Sequence, residues 1–212
     1  MYVFGRSTVL QGGNSREAQL WVASVTEKVN QITDLNMTVW RNVFSSEVGR
    51  LSWVTFVEEL SQLEAADDKL QADDAFVALA DQGAKHTNGT LDDGLAQLIY
   101  MEGAPDASNE YASTVTALLS EGQMAHGIEI GIEIAQRVSK ITGIPTGFAK
   151  GLTGDYQAVE WITGYPSLKA LEAANNALNA DGSFLEFIDK NAPGVFQEGL
   201  GVTQQIVYRK VL

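Results

Sequence analysis

The chain has 212 residues, 45% of them hydrophobic and 19% charged, and it carries 14 basic and 27 acidic side chains with no cysteine. That length and apolar share supply a core for one large domain or two small ones. A net charge of −13 leaves no clustered Lys/Arg footprint, which argues against nucleic acid and anionic membranes. The missing cysteines exclude disulfides, thiolate metal sites and cysteine nucleophiles together.

No basic-then-apolar leader opens the sequence, and no apolar run nears the roughly 20 residues of a bilayer span. A soluble cytoplasmic protein is therefore the expectation. The sequons Asn36-Met37-Thr38 and Asn88-Gly89-Thr90 are chance matches in that setting.

Residues 2–11 are rich in Val, Thr, Phe and Tyr and end at Gly12-Gly13, a strand followed by a turn. Ser15 can cap a helix that places Trp21, Val25, Val29 and Ile32 on one face. Two β-rich runs follow at 37–44 and 50–57, joined by Ser-Ser-Glu-Val-Gly, which predicts a hairpin. Leu60, Leu63 and Leu70 recur at helical spacing until a break near Ala72, where Asp73 can cap a second short helix carrying Phe76 and Leu79. A polar loop over 84–94 leads to a last strand at 95–101. The order is β-α-β-β-α-β, the split pattern of a ferredoxin-like unit.

The same order then repeats. Residues 63–84 and 171–192 share ten of twenty-two positions at an offset of 108, and self-similarity of that kind sets the architecture. Trp53 pairs with Trp161 and Thr55 with Thr163 at this offset. Upstream the offset is 109, matching Trp21, Val25, Val29 and Ile32 to Ile130, Ile134, Val138 and Ile141. One residue deleted near Asp34 to Asn36 would explain the change. The expected organisation is a first repeat over 1–102, a linker over 103–109 and a second repeat over 110–212. Within the second copy Gly-Ile-Glu-Ile-Gly-Ile-Glu-Ile-Ala alternates like a strand, but its aligned counterpart is helical, so helix is expected. That helix gains a second apolar stripe from Ile128, Ile132 and Ala135. A helix apolar on two sides has neighbours on two sides: either a second subunit, giving a homodimer through Ile128 and Ile132, or another segment of the same chain.

A Trp-bearing strand, then Leu-Glu-Ala-Ala on a helix, then Ala-Asp-x-x-Phe resembles the dimeric α+β barrel superfamily, in particular its antibiotic-biosynthesis-monooxygenase-like and NIPSNAP-like branches. The resemblance implies two tandem ferredoxin-like units forming an α+β barrel within one chain, each sheet covered by helices on one face and needing burial on the other. It also implies several activities, among them cofactor-independent oxygenation of aromatic or polyketide-like substrates, haem degradation or binding, and small-ring isomerisation. Fold alone does not choose among these. Haem-degrading members carry Trp and His on the second helix, which has neither here. No cofactor is expected on this reading; haem on His126, after the helical His ligand of related haem proteins, is the exception to test.

Candidate site residues come chiefly from the strand Thr38–Phe44. Its even positions, including Trp40 and Asn42, share one side, and at the same offset of 108 the second copy supplies Phe148 and Lys150. If that side lines the barrel lumen, Asn42 and Lys150 are polar groups in an aromatic chamber suited to a small apolar or aromatic molecule. The same side packed under helices, or reaching solvent at the rim, is the competing structure. His126 lies near a helix start, where a ligand or proton-transfer role competes with a plain surface position. His86, in a polar loop, is expected in solvent. Trp53 and Trp161 read as core. The acidic pairs Asp67-Asp68 and Asp73-Asp74 become Asn175-Asn176 and Asp181-Gly182 in the second copy, which suits a solvated helix face and a cap better than a metal site. A barrel filled by side chains, with no activity, is the rival to the enzyme reading.

Overall fold

A computed structural model describes every residue except 13, 14, 48, 90, 104, 105 and 212. Its elements run β1 (Tyr2–Val9), α1 (Arg16–Ile32), β2 (Thr38–Val43), β3 (Arg50–Val57), α2 (Ser61–Gln71), α3 (Asp74–Asp81) and β4 (Asp92–Tyr100). The second copy follows as β5 (Tyr111–Leu118), α4 (Met124–Thr142), β6 (Thr146–Gly151), β7 (Ala158–Tyr165), α5 (Leu168–Ala180), α6 (Gly182–Asn191) and β8 (Gln204–Lys210). By hydrogen-bond connectivity the strands follow the order β1-β3-β2-β8-β5-β7-β6-β4 and close into a barrel. The chain divides into two compact units, Met1–Leu95 with Tyr208–Leu212, and Ala96–Val207. Both boundaries fall inside a strand, one in β4 and one in β8.

In the first unit β3 is the central strand, antiparallel to β1 and β2. Its alternate residues Leu51, Trp53, Thr55 and Val57 are buried, the period-2 signature of a sheet with one face under helices. Helix α1 supplies Ala18, Trp21, Val22 and Val29 to that core. The caps are those expected from the sequence. Ser15 Oγ accepts from the Ala18 N–H at 3.2 Å, and Asp73 Oδ1 accepts from the Phe76 N–H at 2.7 Å. The break near Ala72 is real: α2 stops at Gln71 and α3 starts at Asp74. The last residues of the chain also belong here, with the Val211 N–H donating to the Val39 carbonyl at 2.8 Å.

The second unit repeats this plan around β7, which pairs with β5 and β6 and buries Val159, Trp161, Thr163 and Tyr165. The alternating stretch at 127–135 is helical, inside α4. Two glycines let α4 lie close to its sheet: a Cβ on Gly127 would sit 2.3 Å from Leu119 Cδ2, and one on Gly131 would sit 2.2 Å from Phe148 Cζ. Of the added stripe on α4, Ala135 is fully buried, while Ile128 and Ile132 pack on the second core and stay half-buried.

A pair of matching clips corrects the alignment between the copies. Where α1 runs into β2, the Asn30 side chain bonds both the N–H and the carbonyl of Met37, at 2.7 and 2.9 Å. Where α4 runs into β6, Ser139 Oγ accepts from the Thr146 N–H at 3.0 Å. Both pairs are 109 residues apart, so that offset continues through β2 and β6. The missing residue lies in the β2–β3 hairpin, not near Asp34 to Asn36.

Candidate functional site

The first unit holds a cavity of about 640 Å³ between the sheet and its helices. Trp53 and Met37 line it from the sheet, Trp21, Val25 and Val29 from α1, Leu70 from α2 and Phe76 from α3. The helices place these side chains because their apolar spacings face inward. The two indoles meet edge to face, with ring centroids 6.0 Å apart and planes at 88°, a favoured aromatic geometry. Each indole N–H is committed elsewhere. Trp21 Nε1 donates to the Leu79 carbonyl at 2.9 Å, and Trp53 Nε1 donates to Thr26 Oγ1 at 2.9 Å, whose own hydroxyl donates to the Val22 carbonyl at 2.7 Å. Gly83 leaves room for Trp21, since a Cβ there would lie 2.9 Å from Cζ2 of the indole.

Charged groups gather at the rim. Arg6 faces Asp93 as a two-pronged pair, Nε to Oδ1 and Nη2 to Oδ2, each at 2.7 Å. The Asp93 hydrogen bonds raise the Arg6 guanidinium further above its ordinary value. Glu64 and Asp67, three residues apart on α2, also line the rim and are exposed. Neither makes an ion pair with another described residue.

The residues singled out from the sequence do not assemble around this cavity. Val39 pairs with Trp53 on β3, and Phe148 pairs with Trp161 on β7. Phe148 therefore matches Val39, and Lys150 matches Arg41. A one-residue slip sends every side chain of a strand to the other face, and that slip is why Phe148 and Lys150 were grouped with Trp40 and Asn42. Phe148 is fully buried, on the helix-covered face beside Trp161, with centroids 5.3 Å apart. Lys150 Nζ lies over the Tyr156 ring at 4.2 Å and donates to the Gly151 carbonyl at 3.4 Å.

Trp40 and Asn42 alternate with buried Val39 and so belong to the face of the first unit's sheet away from its helices. Trp40 is half-buried and its Nε1 donates to Thr38 Oγ1 at 3.0 Å. Among the described residues Asn42 Oδ1 has no hydrogen-bond partner, though buried, and the side chain lies beside a second, smaller cavity of about 210 Å³ that it lines with Arg41 and Phe44.

His126 is on the exposed side of α4, with Nδ1 3.7 Å from a Glu129 carboxylate oxygen. His86 is not in open solvent as expected: it is half-buried and stacks on Trp21, centroids 5.5 Å apart and planes at 27°. Neither histidine lines the large cavity, so the residues there do not fit a haem held by an axial imidazole. No group of three His, Asp or Glu side chains among the described residues could hold a metal ion. No helix among them is long and apolar enough to cross a membrane. Sequence reasoning missed Trp21 and Phe76 as pocket residues because their apolar spacing looks identical to that of filled core. It also missed Glu160, which lies between Thr116 and Ala149 on the uncovered face of β7, where burial pushes its carboxyl up.

Among solved structures, a monooxygenase candidate from Fusobacterium nucleatum superposes with a TM-score of 0.72 at 8% identity, over 100% of this chain and 92% of its own. The two chains share one α+β barrel fold. An anthrone oxidase-like protein matches at TM-score 0.65 and 13% identity over 100% and 91% of the two chains. A haem-degrading enzyme from Listeria monocytogenes matches at 0.54 and 8% over 99% of each. Identities this low establish the α+β barrel fold alone. No family profile matches the sequence, and no curated protein is detectably similar to it.

Proposed function

We propose that the protein binds a small, ring-bearing apolar molecule in the cavity of the first unit. The observation that carries this is the pair of edge-to-face indoles opening onto about 640 Å³ with both N–H groups already bonded. Walls of that kind reward shape and apolar surface, with polar discrimination left to the rim. Calorimetric titration with anthrone and naphthalene tests it. The Leu70→Trp variant, which fills the cavity, should bind at least about tenfold more weakly, as expected when buried apolar contact is lost. Equal affinity in both proteins would remove the cavity from the account. Binding of neither probe would favour a structural role for the barrel.

Oxygenation without a cofactor is the second reading, supported by the fold shared with the monooxygenase candidate and the anthrone oxidase-like protein. In such a reaction the substrate loses a proton and its anion is oxidised by dioxygen, so a base and a donor for the oxyanion are required. The bonded indoles of the large cavity supply neither; this reading therefore needs the smaller cavity, where the side-chain amide of Asn42 is the oxyanion donor to test. Oxygen uptake with quinols and anthrone should fall in Asn42→Ala if the reading holds; equal uptake would discard that residue. Haem held by His126 would return only on a Soret band that His126→Ala abolishes. A homodimer through Ile128 and Ile132, both half-buried, predicts that Ile128→Lys with Ile132→Glu lowers the sedimenting mass.

A further inference from the structure

The rim of the cavity differs in character from its walls. Inside, the surface is aromatic and aliphatic; at the opening stand Arg6, Glu64 and Asp67. Arg6 has both prongs of its guanidinium on Asp93 at 2.7 Å, so its charge is already matched and its best donors are occupied. Glu64 and Asp67 are a single helical turn apart on α2, exposed and without an ion-pair partner among the described residues. The nearby cation on the same helix, Lys69, is 3.8 Å from Asp34. Arg6 also feels the charge of Asp67, but one cation faces three carboxylates there, so the opening carries net negative charge above an apolar chamber, on a chain whose net charge is −13.

We propose that this cavity selects lipophilic monocations, an apolar ring system carrying an ammonium group, over neutral and anionic molecules of the same shape. The inference rests on the binding reading above and adds the charge of the ligand to it. The ring body enters between Trp21, Trp53 and Phe76, and the ammonium stays at the rim within reach of Glu64 and Asp67. An anion would meet the same carboxylates and find Arg6 already bonded. Complementary charge at the edge of a site governs discrimination among partners more than it governs total affinity.

A matched series tests the charge separately from the cavity. Naphthylmethylamine, naphthylmethanol and naphthoate are titrated calorimetrically at neutral pH and low salt into wild type, Glu64→Gln/Asp67→Asn and Leu70→Trp. The amine should bind wild type more tightly than the alcohol by on the order of three- to tenfold, as expected for two exposed carboxylates, and naphthoate most weakly. The preference for amine over alcohol should vanish in Glu64→Gln/Asp67→Asn, and it should shrink as salt rises. Alcohol binding that Leu70→Trp abolishes, with no preference for the amine, would overturn the charge inference and leave the cavity standing. Tighter binding of naphthoate would overturn it too. No binding of any of the three to wild type would remove the cavity reading itself.

Discussion

In the first unit the indole of Trp53 meets one other ring, Trp21, and opens onto a cavity of about 640 Å³. In the second, the equivalent Trp161 meets Phe148 at 5.3 Å and Phe196 at 5.6 Å, and its Nε1 donates to the Gly131 carbonyl at 2.8 Å. The residues that differ can be matched by their bonding. Phe148 stands where the first unit has Val39, because each pairs with the conserved indole's strand position. Phe196 stands where the first has Thr87, because Leu119 bridges to one and Leu10 to the other. The second copy gains the rings of Phe148 and Phe196 and loses that of Trp21, whose place Ile130 takes, and α4 has made room with Gly127 and Gly131 where α1 carries Ala18 and Val22. Protein interiors are close-packed, so a handful of side-chain volumes decides what lies beside the matched indole: open space at Trp53, and the rings of Phe148 and Phe196 at Trp161.

The comparison can be broken most severely in the second unit. Phe148→Ala should cost about 3–5 kcal/mol in denaturant titration. Gly131→Val, which installs the first unit's residue, should cost about 2–3 kcal/mol because its side chain meets the Phe148 ring. The double variant Gly131→Val/Phe148→Val should recover part of that loss, as neighbours that trade volume couple in a mutant cycle; simple additivity would deny the trade. Thr87→Phe transplants a ring in the other direction. It should weaken binding of naphthalene at least about tenfold by filling apolar space, with the folded state retained by circular dichroism. Unchanged affinity would show that the chamber beside Trp53 is not where the probe sits.

Smaller effects separate the two helix caps. Asp73 is held below the ordinary carboxylate range by Lys28, at 2.9 Å, and by the Phe76 N–H, while Asp181 is held down by Ser183 and the Phe184 N–H. A depressed folded value means the stabilisation is present above the ordinary carboxylate value and is lost as pH falls through the folded one. Asp73→Ala should therefore lower Tm at neutral pH more than Asp181→Ala, and both gaps should close in acid. Glu160 has the opposite sign. Its raised value, caused by burial, means that its ionisation opposes folding as pH rises through that value. Glu160→Gln should raise Tm slightly at neutral pH and leave it unchanged in acid. A Tm gain that persists in acid would assign the effect to shape instead of charge.

The tandem plan, the element order and the caps at Ser15, Asp73 and Asp181 were legible because they are local: period, offset and turn chemistry are written in neighbouring residues. The helical state of 127–135 was legible only through its copy, since its own alternation points to a strand. The site was not legible, for two physical reasons. A one-residue slip is hard to see in short strands whose faces mix apolar and polar residues, as over Thr38–Val43 and Thr146–Gly151, and it reverses Phe148 and Lys150. A chamber and a core also share one hydrophobic pattern, so Trp21 and Trp53 carry no mark of the space beside them. The clips at Asn30–Met37 and Ser139–Thr146 were the signal that could have fixed the register, through polar residues at the same spacing from the residue that each bonds.

Residues Tyr208–Leu212 are grouped with Met1–Leu95, and the Val211 N–H closes on Val39. During synthesis the residues of β2 emerge first, yet one edge of β2 waits for Val211, far later in the chain. A nascent chain stalled before residue 208 would carry that edge unpaired, and an unpaired edge is a template for association. The unit begun first is thus closed only after all of Ala96–Val207 has been made.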